Sequence, residues 1–339
     1  MLRPGYPGAG MTGAGIQIGL ALSAGGASAM AEIGVVEELL DAGIPVHCVA
    51  GTSAGAMVGA AFAADRLAAF RDTMTSLTRG RVLRIFDPTW PRTGLLGGRR
   101  AMKLISPHVG DRIEGLERRF AAVATDLITG EEVVLRSGEV LSAIRASIAI
   151  PGIFTPVRRD RRLLVDGGLV DPIPVSTVRS LGADVVIAVS VLPLPPGHMS
   201  PPRRGLTPEL FRRVLSDLRP APETPARAEE DVELEARSEA SLGLVEIVVS
   251  ATRIAAQRIA ACRLHEDPPE ALVLVDVPQI GVLDFHRSGE MVEIGRTAAQ
   301  RALPEIHAAV AAASSFRRRL TRWRRARVSA VGASRSRSG

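Results

Sequence analysis

The 339-residue chain has only two cysteines, Cys48 and Cys262. Two thiols cannot build a disulfide framework, so the sequence predicts a reducing compartment, the cytoplasm. Lysine is almost missing as well: Lys103 is the single one, and arginine supplies the remaining basic charge. Nine of those arginines lie in 316–339, which holds no acid, while the whole chain has a formal net charge of +6. Residues 1–315 therefore carry −3. The basic character belongs to a tail, and no specific nucleic-acid partner is expected of the body. Apolar residues make up 46% and charged residues 23%, ordinary globular proportions that exclude wholesale disorder.

Long hydrophobic runs are scarce. Val46 to Ala64 approaches the length of a membrane span, with His47 its one titratable charge, and carries Gly51, Gly55 and Gly59 at the spacing of packed membrane helices. A buried strand followed by a buried helix accounts for the same residues, and the turn chemistry at its centre favours that reading. Ile16 to Ala31 mimics a secretion signal by running into Ala27-Ser28-Ala29, yet Arg3 is its only leading charge and Gly19 interrupts a short apolar core. Gly8-Ala9-Gly10-Met11-Thr12-Gly13 spells a dinucleotide fingerprint but precedes the first strand instead of following one, so it reads as part of a flexible leader over 1–15.

The hydrophobic pattern that follows is α/β. Ile16, Ile18, Leu20 and Leu22 alternate as in a strand, a Gly-rich turn occupies Ser23 to Ala27, and from Ala31 the apolar period becomes helical until Gly43. Val46 to Ala50 reads as a second strand and Ala54 to Phe70 as a second helix. Two strand–turn–helix units in succession predict a parallel sheet covered on both faces. Further strands are expected at Ala121–Thr125, Val133–Arg136, Leu163–Val165 and Val185–Val191. Nine prolines and the acidic run Glu229 to Glu235 mark 193–237 as a connector or a lid. A helix is expected around Leu244–Arg263, a strand at Leu272–Val277, a helix from Met291 to about Ala313, and an Arg-rich tail over 313–339.

Between the second strand and its helix lies Gly51-Thr52-Ser53-Ala54-Gly55, a G-x-S-x-G at a strand-to-helix turn. Such a turn is tight, needs small neighbours, and presents the serine hydroxyl at a helix N-terminus whose dipole favours developing negative charge. Acyl transfer also needs oxyanion donors. Gly25, Gly26 and Ala27 follow the first strand, and in a parallel sheet that strand ends on the same edge as Ser53. The base is less plain: none of His108, His198, His265, His286 and His307 sits in a Gly-bounded turn at a strand end. Leu163-Leu164-Val165-Asp166-Gly167-Gly168 does place a carboxylate there, either as a functional group or as an ordinary Asp-Gly turn.

Taken in order, the Gly-rich loop, Gly51-Thr52-Ser53-Ala54-Gly55 and Asp166-Gly167-Gly168 resemble the patatin-like phospholipases, especially their bacterial branch. Ala124-Thr125-Asp126-Leu127, Arg145-Ala146-Ser147, Ile150-Pro151-Gly152-Ile153-Phe154 and Pro174-Val175 extend the resemblance over 16–312. It implies a three-layer α/β/α fold with a mainly parallel central sheet. It further implies a Ser–Asp dyad in which Asp166 takes the proton of Ser53, and a lipid carboxylic ester as substrate, a phospholipid or lysophospholipid. Neither a metal nor another cofactor enters that chemistry.

One stretch departs from the family. Its oxyanion loop usually reads G-G-G-x-R/K-G, and Ala24, Gly25, Gly26, Ala27, Ser28 and Ala29 stand at those places. The missing cation admits a second reading, a degenerate lipid-binding or regulatory protein with little turnover. An α/β-hydrolase with a histidine triad is a third, disfavoured because one strand, not several, precedes the elbow. In the tail, Phe316, Leu320 and Trp323 recur at helical spacing among arginines, which suits peripheral contact with an anionic membrane through 316–327 at the inner face of the membrane. The alternative is a disordered basic tail.

Overall fold

The computed structural model describes residues 15–85, 96–194, 244–278 and 280–335, with side chains outside 244–246 and 316–335. The leader expected over 1–15 and the Pro-rich connector or lid expected over 193–237 fall almost wholly outside the described residues, as do the side chains of 316–327.

Eight strands form one sheet: β1 (Ile18–Leu22), β2 (Val46–Thr52), β3 (Arg119–Asp126), β4 (Glu132–Leu135), β5 (Val157–Arg159), β6 (Arg162–Asp166), β7 (Val185–Ser190) and β8 (Ala271–Leu274). The order is β5-β6-β3-β2-β1-β7-β8, with β4 also on β3. Strands β3, β2, β1, β7 and β8 run parallel, and β4, β5 and β6 add an antiparallel margin.

Both faces of the sheet are covered by helices and buried side chains. On one face Leu20, Leu22, Val49, Ile187 and Val189 join the core made with α1 (Ala31–Asp41), α2 (Ala54–Ala63), α6 (Val140–Ser147) and α9 (Ser288–Arg335). On the other, Ala21, Cys48, Ala50, Ala121 and Ala188 are mostly small, and α7 (Val175–Ser180) and α8 (Leu244–Glu266) pack on them through Val178, Ala256 and Ala260. The alternation in β1 is thus large against small, with both sides dry, as a sheet between helical layers requires. Of three further helices, α3 (Leu67–Thr75) packs on α2, while α4 (Arg79–Ile85) and α5 (Arg99–Ile105) pack on each other.

The helix expected over Ala54–Phe70 is two helices. Asp65 takes a left-handed φ of 58°, and the Arg66 N–H returns to the Ala61 carbonyl (2.9 Å), a helix stop built without glycine. At the end of α1 the expected stop stands: Gly43 has φ 75° and the Ile44 N–H reaches the Leu39 carbonyl (3.0 Å). Helix α9 starts three residues before Met291 and its backbone stays helical through Arg335, across the point where the sequence reading begins the tail.

Register decides where the chain's ends of strands meet. Strand β4 occupies one edge of β3 over Ala122–Thr125. The opposite edge is shared: β2 pairs up to Thr52 with Val123, and β6 takes over with Asp166 opposite Ala124. Where β2 turns away into α2, β6 arrives on the next rung.

Candidate active site

Ser53 occupies that turn with φ 56° and ψ −124°, a left-handed conformation unfavourable for a residue with a side chain. Its two glycine neighbours make the turn feasible. A Cβ on Gly55 would lie 2.5 Å from the Ser23 carbonyl oxygen and 2.6 Å from that of Leu22, and one on Gly51 would enter the Gly55 backbone. The elbow is therefore pressed directly onto the end of β1, which brings the Gly-rich loop beside Ser53. The Ser53 N–H donates to Ser147 Oγ (2.8 Å), whose own hydroxyl donates to the Val123 carbonyl (2.6 Å). Ser147, at the end of α6, thus pins the strained residue to β3.

The Ser53 hydroxyl donates to Asp166 Oδ2 at 2.6 Å. The other carboxylate oxygen, Oδ1, accepts the Gly168 N–H (2.8 Å). Backbone bonds fix Asp166 from both sides: its N–H donates to Ala149 O (3.0 Å) and its carbonyl accepts from Thr125 Oγ1 (2.8 Å). Ser53 and Asp166 are each 4% exposed. Burial pushes the Asp166 carboxyl up to about 6, against the opposing pull of the hydrogen bonds from Ser53 and Gly168. A base with that pKa is ionised at neutral pH yet accepts a proton readily. Gly167 lies against the Val123 carbonyl, where a side chain has no room.

In the Gly-rich loop, Gly25 and Gly26 have N–H groups with no hydrogen-bond partner among the described residues. Gly26 needs to be glycine: its φ is 56°, and a Cβ would sit 2.6 Å from the Val282 carbonyl oxygen. Ala27, expected as a third donor, is corrected by the structure. Its N–H donates to the Val282 carbonyl (2.9 Å), so the segment after β8 uses it to clamp the loop.

An apolar pocket opens at Ser53 and encloses about 630 Å³, its open mouth included. Gly26 and Ser53 line it at one place, and hydrophobic side chains supply most of the remainder: Met57 from α2, Val82 from α4, Leu104 from α5, Phe154, and Leu283. A chamber with this lining suits a hydrocarbon chain. Of the histidines weighed from the sequence, His108 Nε2 meets Thr73 Oγ1 (3.0 Å) and the Phe70 ring, while His286 accepts from Arg79 (3.1 Å). His198 lies outside the described residues.

Two residues of this neighbourhood carry no local mark of their role. Ser147 is one serine in an amphipathic helix. Glu32 lies in the first turn of α1 but is completely buried below the Gly-rich loop, bonded to Ser23.

The surrounding sequence has known counterparts. A sequence model of the patatin-like phospholipase family matches residues 20–179. An uncharacterized NTE family protein of Mycobacterium tuberculosis, Rv1063c, is 33% identical over 328 residues, covering 85% of this chain and 91% of its own. A second, Rv2565 from the same organism, is 34% identical over 301 residues, covering 86% of this chain and 47% of that protein. Patatin-like phospholipase domain-containing protein 7 of Rattus norvegicus is 35% identical over 188 residues, 52% of this chain and 14% of the rat protein. The match to Rv1063c extends along most of both chains. The chain belongs to the patatin-like phospholipase family of lipid hydrolases.

Proposed function

We propose that this protein is a serine acyl hydrolase that cleaves a carboxylic ester of a phospholipid or lysophospholipid. The observation that carries the reading is the 2.6 Å hydrogen bond from Ser53 Oγ to Asp166 Oδ2 at the end of an apolar pocket. The acyl chain lies in the pocket and places its carbonyl carbon at Ser53. Ser53 Oγ attacks that carbon while Asp166 takes the hydroxyl proton, and the carbonyl oxygen becomes an oxyanion held by the N–H groups of Gly25 and Gly26. The intermediate collapses by breaking the ester C–O bond, and the leaving alcohol receives the proton from Asp166. Water, deprotonated by Asp166, then attacks the acyl-serine and releases the fatty acid, returning the proton to Ser53.

Two donors serve the oxyanion in this scheme, and Ser28 stands where a cation is usual. That arrangement also favours a second reading, lipid binding with little turnover. A fluorophosphonate probe separates them from a non-serine mechanism: it is expected to label folded protein at Ser53, and absence of labelling refutes the hydrolase. Hydrolysis that disappears in both Ser53→Ala and Asp166→Asn excludes the binding-only reading. Peripheral contact of the tail with an anionic membrane remains a proposal from sequence, tested by whether truncation after Ser315 lowers salt-sensitive vesicle binding.

A further inference from the structure

The helices that wall the pocket have a second face. Val82 and Ile85 of α4 and Leu104 of α5 line the chamber, whereas Arg79, Arg81 and Arg84 of α4 and Arg100 and Lys103 of α5 are exposed. Neither helix contains an acidic residue. The polar partners of these cations include neutral atoms: Arg79 Nε contacts His286 Nε2 (3.1 Å), Arg81 Nη1 contacts Ser76 Oγ (3.5 Å), and Arg100 Nη1 donates to the Arg84 carbonyl (3.1 Å), which also ties the two helices together. Among them stands Leu83, 73% exposed.

Like charges on adjacent helices repel one another, and an exposed leucine gains nothing from water. Both are relieved by one kind of surface, a layer of anionic headgroups with hydrocarbon beneath it. A nucleic acid would satisfy the cations but not Leu83, and these two helices offer no aromatic side chain on which a base could stack. Position adds to the chemistry, because the same helices that carry the charge bound the apolar pocket. We propose that the outer face of α4 and α5 is the docking surface by which the protein seats on an anionic lipid bilayer, the pocket turned toward the lipid.

This surface is separate from the C-terminal tail. Helix α9 begins at Ser288, directly after the turn Phe285–Arg287 that packs on α4. At 1.5 Å per residue its backbone reaches Phe316 about 40 Å further along. The proposal concerns binding, so it stands or falls independently of turnover.

The test uses the full chain carrying Ser53→Ala, so that vesicle lipid is not consumed. Sedimentation is measured with phosphatidylcholine vesicles and with vesicles containing one-third phosphatidylglycerol. Binding is expected to the anionic vesicles and to weaken with added salt. Adding Arg81→Gln, Arg84→Gln and Lys103→Gln together should lower the partition coefficient on the order of 100-fold, while truncation after Ser315 leaves that sensitivity in place. With Ser53 restored, the triple variant should label with fluorophosphonate like the parent, which controls for folding. If it folds poorly, Arg81→Gln and Leu83→Ser singly should each lower partitioning about fivefold. Unchanged partitioning in these variants overturns the proposal. So does loss of the sensitivity once the tail is removed, or binding of an RNA homopolymer with no binding to anionic vesicles.

Discussion

One carboxylate oxygen of Glu32 accepts both the backbone N–H (2.7 Å) and the hydroxyl (2.9 Å) of Ser23 at full burial. The Ser23 oxygen in turn accepts the Val191 N–H (3.1 Å), so the residue that opens the Gly-rich loop is tied to α1 and to the end of β7. Burial raises the Glu32 carboxyl well above its usual range, against the pull of both Ser23 bonds, and its Oε2 has no hydrogen-bond partner among the described residues. A neutral acceptor should therefore serve as well as a carboxylate. Glu32→Gln is expected to keep stability and turnover near those of the parent. Glu32→Ala leaves two buried donors unpaired and should cost about 3 kcal/mol in urea unfolding, with a fall in kcat as the loop loosens. Equal stability of the two variants would show that the contact is unimportant.

Ser147 bridges the Ser53 N–H and the Val123 carbonyl, both buried. Its removal should act on orientation, because the substrate pocket is made elsewhere. Ser147→Ala is expected to lower kcat for a water-soluble ester by about 10 to 100-fold with little change in KM. Ser147→Thr, which keeps the hydroxyl, should recover part of it. A variant that alters KM alone contradicts a positioning role.

Asp166 links activity to pH with one sign and stability with the other. In the proposed mechanism deprotonated Asp166 is the base, so kcat/KM should climb about tenfold per pH unit below the pKa and level off above about 6. The folded pKa, about 6, lies above the ordinary 3.8. The folded state therefore holds the proton more tightly than the unfolded chain, and stability drawn from this group is complete below pH 3.8 and lost as pH rises through about 6. Asp166→Asn removes the buried charge while keeping an acceptor for Gly168. It should match the parent in stability near pH 4 and exceed it by about 3 kcal/mol at pH 8, with no activity. Thermal unfolding at the two pH values tests this, and a stability gain that is the same at both contradicts it.

The first two strand–helix units were legible because their information is local. Large and small residues alternate in β1, Gly43 ends α1, and the small residues around Ser53 mark a turn whose crowding is severe. Asp166 was legible as a carboxylate at a strand end, and the resemblance supplied its partner. What escaped was set by neighbours distant in sequence. Nothing in Ala27 shows that the Val282 carbonyl claims its N–H. Glu32 shares α1 with Glu37, Glu38 and Asp41, which meet arginines of α3 and α9, and composition does not tell the buried carboxylate from the paired ones. Helices α4 and α5 are seven residues each, too short for an apolar period to stand out among their arginines.

Strand β3 serves as a ruler for the site. Ser53 and Asp166 are 113 residues apart along the chain, yet their strands dock on consecutive rungs of one β3 edge. The turns between β4 and β6 can lengthen or shorten without moving either group only where they leave Ser147 and the Ala149 carbonyl in place, since those hold Ser53 and Asp166. A single residue inserted between Val123 and Ala124 would instead displace one partner by about 3.3 Å and turn the following side chains to the opposite face. Tolerance to insertion should accordingly be sharply uneven, generous in the outer connections and absent over those two residues of an otherwise featureless strand.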